Sequence, residues 1–285
     1  MFYFILFYIF LFGLAIGSFL NCLIWRLRGW EKGETPFVRG VLSGRSYCPK
    51  CRKQIKWYDN IPVLSFIILR GKCRNCGKPI SWQYPLVELI TAVLFVVSWQ
   101  IESGIRNQES GFVLSSIIYN SKFIIQVLRD WFLIAAMIVV FIYDLRWYVI
   151  LDIITLPSAA ILLFFNLIIG LLNGSGFSIL RNFLISGIIG GSFFLLQFII
   201  SRARWIGGGD IRLGFLMGLA LGWPGVIIAL LLAYFSGSII GLGLIAAKKK
   251  QWGSQVPFGT FLAAATIVTL FWGQEIIGWY WGLIQ

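Results

Sequence analysis

"WIGGGDIRLGFLMGLALGWPG", residues 205–225, decides how this chain is folded. Its apolar part, Ile211 to Trp223, is short for a helix crossing about 30 Å of hydrocarbon. It also holds Arg212 and ends in the turn LGWPG, so it is either a short tilted span or a re-entrant segment. The rest of the chain chooses between the two. Seven longer apolar runs surround it: Phe2 to Trp25, Tyr84 to Ile101, Phe123 to Tyr143, Ile153 to Leu172, Phe183 to Ile200, Gly225 to Ala247 and Thr260 to Leu283. Each is long enough to span. The first lacks the basic start and small-residue cleavage site of a signal peptide and is expected to be a retained helix. With 59% hydrophobic and 12% charged residues among 285, and a mean hydropathy of +0.85, the chain lies outside the range of soluble domains.

Charge selects the topology. Of 24 Lys and Arg residues, 13 lie between Arg26 and Tyr84, two in SRAR and three at Lys248 to Lys250. The positive-inside rule makes these loops cytoplasmic. The base-poor loops, ESGIRNQESGFVLSSIIYNSK and NGSGFSILR, then fall outside. If Ile211 to Trp223 crosses, eight helices put every basic loop inside; if it does not, the Lys248 cluster lands on the wrong side. The sequence therefore predicts an all-α polytopic membrane protein of about eight transmembrane helices with a cytoplasmic loop domain. Its parts are a first helix at 1–25, the loop domain at 26–83 and the remaining membrane helices at 84–285. The basic surplus is read as orientation signal and contact with anionic lipid, not as a nucleic-acid surface.

Two knuckles organise the loop: CPKC supplies Cys48 and Cys51, and CRNC supplies Cys73 and Cys76. Each CxxC turns two thiolates to one side, and two such turns close a tetrahedral S₄ site suited to structural Zn²⁺, with no open position for a reactant. A reducing cytoplasm argues against two disulfides. Cys22, in the first run, reads as a small apolar residue.

The chain has no histidine, which excludes Ser-His-Asp, Cys-His and HExxH chemistry. Acids at membrane depth are expensive and mark function. Glu88, Asp130 and Glu275 lie within spans; Asp144, Asp152 and Asp210 lie at span ends. The topology puts Asp144 and Asp210 at one boundary on different helices. Two carboxylates held close share a proton, so one can activate water while the other donates to a carbonyl. Gly207 to Gly209 permit positive φ and close backbone approach beside Asp210. For each aspartate alone, an N-cap is the competing reading. Asp152 is expected about 80° around a helix from Asp144 if that stretch is helical, in support of the dyad. Asp59 and Asn60, before Pro62, read as turn residues. Glu88 is either a buried, bonded acid or part of a cofactor site. The Trp and Tyr residues, GWYWG included, read as an interfacial belt.

GGGD fits the GxGD motif of intramembrane aspartyl proteases. Over nearly the whole chain, GLAIGSFLNCLIWRL, the cysteine loop continuing into SWQYPLVELITA, DLRWYVILDIITLP and VPFGTFLAA resemble, in that order, the bacterial type IV prepilin peptidases. The resemblance implies Asp144 and Asp210 as catalytic dyad, with Gly207, Gly209, Asp152 and Arg212 around it, and the four cysteines as a zinc site. It also implies cleavage of the basic leader of prepilins or pseudopilins after a glycine, at the cytoplasmic face of the inner membrane. Methylation of the new N-terminus with S-adenosylmethionine follows in many members, an activity associated with the cysteine loop. The chain departs from the family at Leu151, where proline is usual, and at Arg212, where lysine is usual. The rival class, an ion-coupled transporter or channel with a regulatory zinc loop, favours acids near the bilayer midplane and an inverted repeat. No oligomeric state is read from the sequence.

Overall fold

The computed structural model describes residues 2–33, 44–109, 121–172, 176–249, 251 and 256–284. Much of the two loops expected outside, and Lys250 of the basic cluster, lie outside these residues. Among the described residues the regular structure is helical, with no strand: α1 Phe2–Glu31, α2 Leu64–Ile68, α3 Gln83–Glu109, α4 Ser121–Trp147, α5 Asp152–Leu172, α6 Gly176–Ile200, α7 Gly208–Leu221, α8 Gly225–Ala246 and α9 Phe258–Ile284. Seven of these, all but α2 and α7, are long and apolar enough to cross a membrane, and the chain is a multi-pass membrane protein. The contacts divide it into two compact units, Met1–Gln100 and Ile101–Gln285.

In the first unit α1 packs on α3 through small residues. A Cβ on Gly13 would stand 2.5 Å from the Ala92 Cα, and one on Gly17 2.6 Å from the Glu88 Cα. Gly-xxx-Gly spacing puts both on one face and lets the backbones touch where apolar burial alone gives little drive. The buried residues of α1, among them Ile9, Leu20, Ile24 and Leu27, continue that face. Its polar member is Asn21, 1% exposed, which donates to the Tyr84 carbonyl at 3.1 Å and accepts from Gln83 at 3.2 Å.

In the second unit α7 is the hub, touching α5, α6, α8 and α9. Leu213, Leu216, Met217 and Leu219 are fully buried. Its tightest seam is with α6. A Cβ on Gly214 would lie 2.5 Å from the Phe194 ring and 2.6 Å from the Gly190 carbonyl oxygen, and one on Gly218 would press against the Ser186 carbonyl more closely still. Fourteen residues rise about 21 Å, short of the layer its neighbours cross. Both ends are tied by polar bonds. At the C-terminus Gly222, at φ 67°, donates to the Gly218 carbonyl. Asn166, fully buried on α5, donates to the Leu219 carbonyl at 2.8 Å, and the Trp223 N–H reaches the Asn182 side-chain oxygen at 2.8 Å. These bonds occupy groups that a helix end leaves orphaned.

Candidate active site

Asp144 occupies the last turn of α4 and is 4% exposed. Its Oδ2 accepts the Thr260 backbone N–H at 2.9 Å, and the Gly259 N–H points at the same carboxylate. Both donors belong to the first turn of α9, where backbone N–H groups lack helical partners and the helix dipole is positive. Pro257 precedes that turn, and its carbonyl accepts the Thr260 hydroxyl at 2.6 Å. Asp144 thus caps a helix 116 residues away in sequence. It stands near the end of its own helix, so the cap reading holds only for α9. Asp210, 8% exposed in the first turn of α7, reaches back to accept the Gly207 N–H at 3.0 Å. The two carboxyl groups lie within Coulombic reach of one another.

The glycines beside these acids serve proximity. A Cβ on Gly209 would meet the Ile150 Cβ at 2.8 Å, and one on Gly259 would meet the Ile150 Cδ1 and the Asp144 Oδ2, each at 2.9 Å. Ile150 therefore sits between two helix starts that approach only because neither glycine carries a side chain. The expected positive φ does not occur: Gly207 is extended at φ −85°, and Gly208 and Gly209 lie within α7. The close approach is real at Gly209, while the Cβ direction of Gly208 is open. Sequence reasoning missed Gly259 and Thr260 as partners of Asp144. Their signal, a Pro-Phe-Gly-Thr helix start, is a backbone feature without a chemical side chain. It also missed Tyr234 on α8, whose hydroxyl donates to Gln197 at 2.9 Å and lies within electrostatic reach of Asp210. The Tyr234 ring packs edge-on against Phe258 at 4.9 Å.

The stretch from Asp144 to Asp152 is not one helix. Tyr148 adopts φ 57°, α4 ends at Trp147, and α5 begins at Asp152. The angular argument for Asp152 therefore fails. Asp152 is about half exposed and pairs with the Arg212 guanidinium of α7. Asp130 is 3% exposed and accepts Arg129 Nη2 at 2.8 Å. It lies fourteen residues before Asp144 on α4, about 21 Å along the axis. Glu275 is exposed on α9.

In the first unit the four cysteine sulfurs of Cys48, Cys51, Cys73 and Cys76 lie within 4.8 Å of one another and could hold a metal ion. A tetrahedral ion with bonds of about 2.3 Å sets its sulfurs about 3.8 Å apart, so the donor set fits zinc. The cysteines are free of disulfides. The two knuckles repeat one turn. Cys48 N–H donates to Lys53 and Arg52 N–H to Cys48, while Cys73 N–H donates to Lys78 and Gly77 N–H to Cys73, all at 2.9–3.0 Å. Arg52 at φ 57° fills the place that Gly77 fills at φ 67°. The Lys78 amide pulls the Cys76 thiol down, but desolvation and the neighbouring Cys73, Cys51 and Cys48 outweigh it and push the thiol up to about 11. A divalent cation at the centre reverses that balance. Asp59 lies in a 3₁₀ turn, Trp57–Asn60, as its turn reading requires, and grips Arg74 of the second knuckle bidentately at 2.7–3.0 Å. Cys22 lies in α1 with its sulfur 4.0 Å from the Ser46 hydroxyl. Glu88, 6% exposed, accepts the Val63 N–H at 2.7 Å.

The model of the bacterial peptidase A24 N-terminal domain matches residues 11–101, and that of the type IV leader peptidase family matches 131–242. Relatives include the prepilin leader peptidase/N-methyltransferase of Aeromonas hydrophila, 34% identical over 95% of this chain and 92% of the relative. Those of Legionella pneumophila, at 32% over 95% and 93%, and of Stutzerimonas stutzeri, at 30% over 94% and 91%, bear the same name. No solved structure matches the chain. Both family models fall along the chain in the order that the sequence motifs suggested, and the relatives align over more than nine-tenths of it. The chain belongs to the type IV leader peptidase family.

Proposed function

We propose that the protein cleaves the basic leader of type IV prepilins or pseudopilins after a glycine, at the cytoplasmic face of a bacterial inner membrane, with Asp144 and Asp210 as catalytic dyad. The observation that supports this reading is that two buried acids, from α4 and α7, flank one packed spot: Ile150 lies between Gly209, next to Asp210, and Gly259, next to the Asp144 carboxylate. In the mechanism we propose the two carboxyls share one proton, because two carboxylates held close cannot both ionise cheaply. The ionised member takes a proton from water as that water attacks the scissile carbonyl carbon, and the protonated member donates to the carbonyl oxygen. Collapse of the tetrahedral species returns a proton to the departing amine. The amides of Gly259 and Thr260 on one side, and of Gly207 on the other, keep each carboxylate aimed. Gly207, Gly209 and the Asp152–Arg212 pair support this geometry without touching the chemistry.

The names of the relatives support a second activity, methylation of the new N-terminal amine. S-adenosylmethionine would supply the methyl group, and the first unit is where we place that activity. Zinc in the Cys48, Cys51, Cys73, Cys76 site would be structural, because four thiolates leave no coordination position for substrate. An eight-span topology, in which α7 crosses with its neighbours, puts the cysteine loop, Lys248 and the dyad on the cytoplasmic side.

The test is incubation of wild type, Asp144→Asn and Asp210→Asn in membranes with a prepilin carrying its leader, scored by intact mass. Wild type should lose the leader and gain a methyl group, and neither variant should cleave. Full cleavage by either variant would remove the dyad assignment; cleavage without a methyl gain, with cofactor present, would confine the protein to proteolysis.

A further inference from the structure

One surface of the first unit has no role in the reading above. In α2, Leu64, Ile67 and Ile68 stand at i, i+3 and i+4, hence on one face, and are 50%, 64% and 63% exposed. The opposite side faces the loop's own interior: Ser65 is buried and donates to the Tyr58 carbonyl at 2.9 Å. Phe66 packs against the Trp82 ring at 4.9 Å, and Trp82 is itself 69% exposed. The short helix is therefore fixed with its apolar side outward, beside an exposed indole.

Its depth is fixed too. The residue before it, Val63, is β-branched yet sits at φ 59°, and its N–H is held by the Glu88 carboxylate at 2.7 Å. Strain of this kind persists only where the surroundings impose it. Glu88 is five residues into α3, about 7.5 Å along the axis. The first turns of α3 show Leu86, Leu89 and Ile90 on the outside. So α2 is level with the beginning of a membrane-spanning helix, at the depth where Trp side chains collect.

Charge names the partner. Between residues 44 and 82 there are nine Lys and Arg residues and one acid, Asp59, and Asp59 is committed to Arg74. Arg70 and Lys72, directly after α2, are exposed. An apolar face bordered by bases at headgroup depth suits an anionic phospholipid leaflet. A basic leader peptide would meet like charge there.

We propose that the cysteine loop lies flat on an anionic phospholipid leaflet, with the Leu64, Ile67, Ile68 face of α2 and the Trp82 ring inserted and Arg70 and Lys72 against the headgroups. This uses only the membrane-spanning character of α1 and α3 and stands apart from the dyad. The experiment places photoreactive benzoylphenylalanine at Ile67 of the full chain. The protein is reconstituted into discs of phosphatidylcholine alone, or with part of it replaced by phosphatidylglycerol, and irradiated with and without a prepilin. A phospholipid adduct should form in the mixed discs, several-fold more than in phosphatidylcholine, and fade with added salt. Arg70→Gln with Lys72→Gln, both exposed positions, should reduce it several-fold in the mixed discs. No lipid adduct in mixed discs, equal adduct in both kinds, or an adduct with the prepilin in its place would overturn the proposal. Because the readout is a cross-link, failure of cleavage and failure of this docking are told apart.

Discussion

Gly259→Ala is the substitution that separates packing from aim at the dyad. Alanine favours a helix over glycine by about 1 kcal/mol, so α9 itself should not suffer. The added methyl, however, would sit 2.9 Å from both the Asp144 Oδ2 and the Ile150 Cδ1, where ordinary contact begins at 3.4 Å. Asp144 must retreat by about 0.5 Å, which strains its bonds to the Gly259 and Thr260 amides. A displacement of about 1 Å at a reacting group costs about a hundredfold, so we expect kcat/KM for leader cleavage to fall about tenfold to a hundredfold, or about 1.4–2.7 kcal/mol. The assay is prepilin cleavage by purified protein in detergent or discs, with thermal unfolding measured alongside. Adding Ile150→Val removes the Cδ1 contact but not the clash with Asp144, so the double variant should stay impaired. Wild-type cleavage by Gly259→Ala would refute the claim that these amides aim Asp144. Full rescue by Ile150→Val would assign the defect to crowding at Ile150.

Three further outcomes follow from the packing. Asn166→Leu deletes the buried bond to the Leu219 carbonyl and should destabilise the protein by about 1–3 kcal/mol, seen as a lower melting temperature; an unchanged one would show that this carbonyl needs no partner. Asp152→Asn and Arg212→Gln each break one exposed ion pair, worth about 0.2–1 kcal/mol. Each should lower cleavage less than about fivefold, and the double variant no further than either single; additive losses would mean the two act separately. Purified protein should carry about one zinc per chain, and Cys48→Ser with Cys73→Ser should abolish it. A folded, active, metal-free preparation would remove the structural role of the metal.

Hydropathy disclosed the long spans because a helix in lipid must be apolar along its whole length, and the predicted runs lie inside the helices of the structure to within a residue; α6 starts at Gly176 rather than Phe183, and elsewhere polar flanks extend the helices. Helix α1 runs on to Glu31 and α4 to Trp147 in this way. The cysteine cluster was legible because CxxC constrains a turn so strongly that two copies specify a site. Asp144 and Asp210 were legible as candidates, since charge at a membrane boundary is costly, but their partners were not. Backbone amides at the start of α9 leave no mark that distinguishes Gly259 from any other glycine. The break at Tyr148 was hidden for another reason. DLRWYVILD holds no glycine or proline to mark a stop, and only its packing against α7 and α9 shows where the helix ends. The positive φ expected of the GGGD glycines rested on what glycine allows, whereas Gly209 is there for what it omits.

The shortness of α7 bears on where the water comes from. Hydrolysis of each peptide bond consumes one molecule of it, and hydrocarbon holds almost none. A helix of fourteen residues falls about 9 Å short of a layer of about 30 Å. The chain before it, Ser201 to Gly207, is SRARWIG, with Arg202 and Arg204 exposed. Guanidinium groups favour water over hydrocarbon, and on the topology proposed above they stand just before the first turn of α7, which carries Asp210. On the proposed reading, in which α7 crosses as a short span, its missing length would leave an inlet beside Asp210 for the one reactant that lipid withholds.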